Sequence, residues 1–466
     1  MASNFVTTIC CVFLLSTCAS FTSGLLVEEP DSGKIHINFL HRDHFTSPLS
    51  DAQHSSLADR ILGAVRRSHA RSLSFATLQD SRRGRSTNSS VSASVEAPVQ
   101  TDNGEYVMTG SIGTPPVKFV AIVDTGSDLI WLQCKQCETC LHQVDPLFDP
   151  KKSRSFRRLS CSNQFCKDLP VSTCSSNSTE NSACDYTYGY GDGSFTQGVL
   201  ASETARLPTR GGQPYPMKDI AFGCGFNNEG YFAGVDGLVG FGRGPLSLPS
   251  QIGSQVGRVF SYCLGDFASA TNQSSSLSIE KDPNEDFSEF KFTKLISNPF
   301  SPSFYYIRLE SIRVGRHKLN ISEDTFSIDN STGNGGTIID SGTTITFLPD
   351  KAYDAVLNHV LTTVAYPVVK NSTASIGLDL CFNVSGIATP RLPAVSLRFS
   401  GATLRLPTEN TFITLDLQGS SLTCLAMASS GLGGFGILGN YQQQNFQIVY
   451  DLERSRLGFR KKKCVS

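Results

Sequence analysis

The chain has 466 residues, too many for one compact core and enough for two lobes. Forty glycines, thirty phenylalanines and a single tryptophan suit a β-rich protein. A net charge of −1 gives no electrostatic case for nucleic acid as a partner.

Residues 5–19, Phe5 to Ala19, are apolar and end among small residues, the pattern of a cleaved signal peptide over 1–24, although no Lys or Arg precedes the apolar core. The stretch is short for a membrane span and no second one follows. The C-terminal run Arg460–Ser466 lacks the apolar tail of a lipid-anchor signal, so no stable membrane anchor is expected. Cys10, Cys11 and Cys18 fall in the leader and twelve cysteines remain. That even number in a secreted chain favours six disulfides. Asn-X-Ser/Thr sequons at Asn88, Asn177, Asn272, Asn320, Asn330, Asn371 and Asn383 point the same way. Secretion to the extracellular space is the expectation, with the vacuole as the alternative destination.

Residues 25–95 differ in character from the rest. Ile35–Arg42 reads as a strand. Leu57, Ile61, Ala64/Val65 and Ser68 share one face of a helix whose other face carries Arg60, Arg66, Arg67 and Arg71. Ser81–Ser94 is polar, basic and cuttable, a linker. Five of the eight histidines (36, 41, 44, 54 and 69) lie in this segment, which admits two readings: ordinary solvated side chains, or a cluster whose protonation below about pH 6 loosens the segment. An amphipathic basic helix on a membrane surface is the competing reading. The linker, which severs this helix from the body, argues against it.

The body begins near Val91–Pro98. Tyr106–Gly113 reads as a strand entering a Pro115-Pro116 turn, and Tyr306–Ile312 repeats it with Tyr and Ser-Ile at the same offset. Each copy precedes an apolar run that delivers an aspartate to a turn: Phe119–Val123 to Asp124-Thr125-Gly126-Ser127, and Thr337–Ile339 to Asp340-Ser341-Gly342-Thr343. Each half then closes on an apolar-apolar-Gly strand, Leu238-Val239-Gly240 and Ile437-Leu438-Gly439. The clear helix of the body spans Asp350–Ala365, with Asp350 placed to cap it. Gly240–Gly244 lacks phosphate-loop spacing, and no cofactor is expected.

One Asp-hydroxyl-Gly turn means little; two, each after an apolar strand in its own half, define a chemistry. Two carboxylates brought face to face share one proton. The ionised member can take a proton from water while the neutral one polarises a carbonyl. Gly126 and Gly342 let the backbone bend and offer N–H groups. Thr125 and Ser341 can bond across the join, and Ser127 and Thr343 can donate to the outer carboxylate oxygens.

On these motifs the chain resembles the bilobal, pepsin-like aspartic proteases, and within them the cysteine-rich plant type typified by the nepenthesins, including disease-resistance-associated relatives. The resemblance covers nearly the whole chain. It implies a mainly β, double-ψ barrel architecture with pseudo-twofold lobes over 96–295 and 296–466, and few short helices. It also implies catalytic Asp124 and Asp340, and strands that brace both Asp loops from behind. Residues 25–95 become a prosegment that masks the cleft as an intramolecular inhibitor, with a linker at its end. Polypeptides are the implied substrates, and a monomer is expected. Tyr186–Ser194 resembles the family's flap, with Tyr190 as the flap tyrosine, Gly191 and Asp192 at its tip, and Trp131 as its hydrogen-bond partner.

Cys134-x₂-Cys137-x₂-Cys140 admits a zinc reading, but only His142 stands near ligand spacing and the compartment is oxidising, so no metal is expected. The resemblance implies the disulfides Cys134–Cys137, Cys140–Cys224, Cys161–Cys184, Cys166–Cys174, Cys263–Cys464 and Cys381–Cys424. The main rival function is a binding protein on the same scaffold, such as the protease-like glycosidase inhibitors of plants. Those relatives generally show a damaged dyad or flap, and both are intact here. A retroviral-type homodimer is disfavoured because both halves are already in one chain.

Overall fold

The computed structural model describes residues 35–44, 47–49, 56–83, 106–174, 182–190, 193–209, 212–230, 232, 234–266, 275–280, 287–370, 372–431 and 435–464. The signal-peptide region, the linker beyond Arg83, Gly191, Asp192, His54 and the sequons at Asn88, Asn177, Asn272 and Asn371 lie outside these residues. The described residues belong to one compact unit, Gly33–Ser466. No described helix is long and apolar enough to cross a membrane.

The architecture is mainly β and two-lobed. In the first lobe, strand Tyr106–Ile112 runs antiparallel to Val117–Asp124. The run Phe119–Asp124 is buried at every position, which explains why it reads as continuous apolar sequence and does not alternate. Strand Gly237–Gly240 lies parallel to it, with Gly240 opposite Asp124. The second lobe repeats the plan. Tyr306–Ile307 is antiparallel to Thr337–Ile339, and Gly436–Leu438 is parallel to that same strand. Each aspartate thus leaves a buried strand that a second strand braces from behind. The closing glycines are required by close approach. A Cβ on Gly240 would collide with the Asp128 carbonyl group, and one on Gly439 with the Ile345 carbonyl.

A six-stranded antiparallel sheet joins the lobes. Its order is Ile35–His41, Ser275–Glu280, Val259–Cys263, Phe446–Asp451, Arg456–Lys461 and Lys291–Ile296. The first strand comes from the N-terminal segment, and Ile35, Ile37 and Phe39 are fully buried in the core.

Helices depart from expectation in two ways. The body helix spans Asp350–Thr363 with Pro349 at its N-cap. Asp350 sits in the first turn, where its carboxylate accepts from the Ser429 hydroxyl instead of capping. A second helix, Leu248–Val256, is masked in the sequence by Pro249 and Gly253.

Two of the six implied disulfides are present and four are corrected. Cys263 bonds to Cys464, and Cys381 to Cys424. The latter pair follows from register: strand Cys381–Asn383 runs antiparallel to Ser420–Leu425 and sets Cys381 directly opposite Cys424. The other four bonds are Cys134–Cys224, Cys137–Cys140, Cys161–Cys174 and Cys166–Cys184. They replace Cys134–Cys137, Cys140–Cys224, Cys161–Cys184 and Cys166–Cys174, and the reasons are local. Strand Trp131–Gln133 runs parallel to Gly223–Gly225, which sets Cys134 beside Cys224 and leaves Cys137 and Cys140 to close a short loop. In the insert, Cys166 and Cys184 both enter the apolar core and pair there, while Cys161 and Cys174 meet nearer the surface. The close approach of the Cys161, Cys166 and Cys174 sulfurs is that of two neighbouring disulfides.

The bracing role of Gly240 gives a measurable outcome. Gly240→Ala should lower stability in urea by about 1–3 kcal/mol through overpacking. Gly189→Ala, where an added Cβ meets nothing within 4 Å, should stay within about 0.5 kcal/mol.

Candidate active site

Asp124 and Asp340 are almost completely buried, 2% and 0% exposed. Their surroundings match residue for residue. The Ser127 hydroxyl donates to Asp124 Oδ2 at 2.6 Å and the Gly126 N–H to Oδ1 at 2.9 Å. The Thr343 hydroxyl donates to Asp340 Oδ2 at 2.6 Å and the Gly342 N–H to Oδ1 at 3.0 Å. Across the join, the Ser341 N–H donates to Thr125 Oγ1 at 3.1 Å, and the Thr125 and Ser341 hydroxyls lie 3.3 Å apart. Thr125 Oγ1 also donates to Asp340 Oδ1 at 3.4 Å.

A third side chain completes the constellation. Arg71, from helix Leu57–Arg83, inserts its guanidinium between the carboxylates. Nη2 donates to Asp124 Oδ1 at 2.5 Å and to Asp340 Oδ1 at 3.1 Å, and Nε donates to Asp340 Oδ2 at 2.7 Å. One nitrogen therefore reaches an inner oxygen of both aspartates. This corrects the sequence pattern, which places Arg71 on the polar face. The buried stripe instead runs Ile61, Ala64, Val65, Ser68, Ser72 and Phe75, and Arg71 follows Ala64 and Ser68 by seven and three residues, on that stripe. Leu57, expected on the apolar face, is 37% exposed. The Ser68 hydroxyl accepts from the Thr344 N–H at 2.8 Å, just beyond the second Asp turn. Phe75 packs edge-on against Phe304 at 5.1 Å and Phe435 at 6.0 Å. His69 Nε2 donates to the Gly377 carbonyl at 2.7 Å, and His36 Nδ1 lies 3.1 Å from the Ser278 hydroxyl.

Burial pushes the Asp340 carboxyl up. The Arg71 charge, with hydrogen bonds from Arg71, Thr343 and Gly342, outweighs that and holds it below its ordinary value of 3.8. Arg71 itself is lowered by burial, but the two aspartates more than reverse this and hold it firmly protonated.

Tyr190 extends the hairpin Asp185–Gly189/Phe195–Leu207, and the Trp131 Nε1–H donates to its hydroxyl at 2.8 Å. Trp131 is fully buried against Phe232, so it packs and bonds at once. Among the other predicted residues, Asn320 and Asn330 are exposed and Asn383 is half-buried.

Further supporting residues carry no motif that sequence reasoning recognises. Asp128 is buried, accepts from the Gly244 N–H at 2.8 Å and from the Ser303 hydroxyl, and so ties the first Asp loop to the entry of the second lobe. Burial raises its carboxyl above the ordinary value, against the hydrogen bonds from Ser303 and Gly244. Asn440 Nδ2 donates to the Ser341 carbonyl at 2.9 Å, and Gln443 Nε2 to the Asp340 carbonyl at 3.2 Å. The polar run Asn440–Gln443 after the closing Gly439 is the available signal.

Two lobes of this topology, each presenting an aspartate where they join, define the class of protein. Residues 106–279 match the family model described as Xylanase inhibitor N-terminal, and residues 304–461 the one described as Xylanase inhibitor C-terminal. Basic 7S globulin from soybean superposes with a TM-score of 0.61 at 21% identity, covering 78% of this chain and 95% of that one, a likeness of fold. Aspartic proteinase nepenthesin-2 of Nepenthes gracilis is 43% identical over 387 residues, 82% of this chain and 84% of its own. Nepenthesin-1 of the same plant is 44% identical over 372 residues, 79% and 80% of the two chains. The chain belongs to the pepsin-like aspartic protease family.

The electrostatics of the trio are testable by carboxyl NMR. Arg71→Ala should make the Asp340 carboxyl hold its proton to higher pH than in the unaltered chain, because burial then acts without the opposing cation. An unchanged titration would contradict the assigned contact.

Proposed function

We propose that this chain is the proenzyme of a secreted aspartic endopeptidase, and that Asp124 and Asp340 are its catalytic pair. The observation that carries the reading is the matched hydrogen-bond shell around two buried carboxylates that converge on one point. Arg71 Nη2 occupies that point. With the arginine gone, a water bonded to both inner oxygens fits the same place. The ionised aspartate takes a proton from this water as it attacks the peptide carbonyl, while the neutral one protonates the carbonyl oxygen; the roles then reverse as the amine leaves. No covalent intermediate is needed. The Ser127 and Thr343 hydroxyls hold the carboxyl planes, and Tyr190 closes over the substrate backbone.

Residues 25–95 are the prosegment in this reading, following a signal peptide and ending in the cuttable linker. Its guanidinium excludes the catalytic water, and Phe75 fills an apolar pocket that a substrate side chain would enter. Release is linked to protons. The docked form holds Asp340 below its ordinary value, whereas the free pair shares one proton. Docking is therefore at full strength above the free pair's upper pKa and is lost as pH falls toward the depressed docked value. Acid frees the enzyme and also supplies the proton that its chemistry needs.

The competing reading, a non-catalytic binding protein, draws on the names of the matched family models. Digestion of denatured protein at acid pH, with and without pepstatin, separates the two. Asp124→Asn and Asp340→Asn should each lower turnover by on the order of 1,000-fold or more without changing circular dichroism. Normal turnover by either would exclude the mechanism. Arg71→Ala should release activity at a higher pH than the unaltered chain requires, and identical activation profiles would remove the arginine from the inhibitory role.

A further inference from the structure

A second concave site lies on the outer face of the joining sheet and shares no residue with the cleft. It is a cavity of about 730 Å³ floored by Phe399, Phe446 and Phe459. Five cationic side chains line it, Lys291, Arg398, Arg405, Arg460 and Lys461, against one carboxylate, Glu289. They come from three separate segments: strand Lys291–Ile296, hairpin Val395–Phe399/Ala402–Leu406, and the end of strand Arg456–Lys461. In a chain of net charge −1 this is a concentration of one sign.

Two of the cations already hold single carboxylates, Arg460 with Glu289 at 2.7 Å and Arg398 with Glu310 at 3.3 Å. Lys291, Arg405 and Lys461 are exposed and form no ion pair with another described residue. Lys462 and Lys463 carry the charge onward along the surface. This is not a loose tail, because Cys464 is buried and bonded to Cys263. The cations therefore stand on fixed strands around one cavity, where a ligand bearing several anionic groups can engage more than one of them together.

We infer that this trough binds an acidic polysaccharide, a polyuronate whose repeated carboxylates engage Lys291, Arg405 and Lys461. Two observations, together with the secretion proposed above, select that class. Among the described residues, the lining contains none of the exposed large apolar side chains, so it offers no wedge for a lipid surface. Its three phenylalanines are 1–5% exposed, so they offer no face for a nucleobase to stack on. Finally, the secretion proposed above brings the chain to uronate-bearing polymers. Arginine and lysine recognise carboxylates through charge-assisted hydrogen bonds, and the array sets affinity by the number of pairs made together.

The test uses the full chain carrying Asp124→Asn, so that peptide cleavage plays no part, with polygalacturonate as the probe. Affinity electrophoresis should show retention by polygalacturonate and none by the fully methyl-esterified polymer. Retention should fall as salt rises from about 20 to about 300 mM. Lys291→Gln/Arg405→Gln/Lys461→Gln should weaken binding about tenfold with unchanged thermal unfolding. Lys151→Gln/Lys152→Gln/Lys318→Gln, equal in charge but outside the trough, should not. Absent retention, equal retention of the esterified polymer, or equal loss in both triple variants would overturn the site. Tighter binding to phosphatidylserine vesicles or to single-stranded DNA at equal charge concentration would overturn the ligand class. None of these readings depends on whether the chain hydrolyses peptides.

Discussion

Two carboxylates cannot be buried side by side without something to hold their charge, and the structure answers that constraint at three levels. Backbone N–H groups at Gly126 and Gly342 and hydroxyls at Ser127 and Thr343 satisfy the oxygens. The Thr125–Ser341 contact fixes the spacing of the halves. Arg71, from the N-terminal segment, supplies the countercharge. Breaking such a buried pairing on one side leaves an uncompensated charge, which costs about 3–5 kcal/mol. The docked arginine is therefore coupled to the protonation of the pair it covers.

That coupling explains why the N-terminal segment is built into the fold and not merely laid over it. Strand Ile35–His41 takes the edge of the joining sheet, and the helix buries Ile61, Ala64, Val65 and Phe75 against the second lobe. Apolar burial anchors both the strand and the helix, so the arginine arrives with its position already determined. The polar contacts at Ser68 and His69 set its register on the Asp loop and on Gly377.

The duplicated Asp turns, their apolar strands and the closing glycines are legible because each rests on local chemistry: a buried strand must be apolar, and a strand crossing another's backbone must lack a Cβ. The Tyr190–Trp131 bond follows from the family pattern, as do the Cys263–Cys464 and Cys381–Cys424 disulfides. What stays hidden depends on non-local register. The pairing of Cys134 with Cys224 is decided by which strand lies beside Trp131–Gln133, and spacing in sequence carries no record of that. Arg71 defeats the pattern for a different reason. A charged residue on an apolar stripe is ordinarily assigned to solvent, and only the two carboxylates from distant segments make its burial favourable. Asp128 is similar, since its partner Ser303 is 175 residues away.

The Cys263–Cys464 bond joins a strand of the first lobe to the last described residue of the second. Every residue between them lies inside one covalent ring. A protease that nicked an exposed turn anywhere in that ring would leave a single molecule, its halves still tethered across the seam. Such a chain can tolerate a cut in its own second half without falling into two pieces.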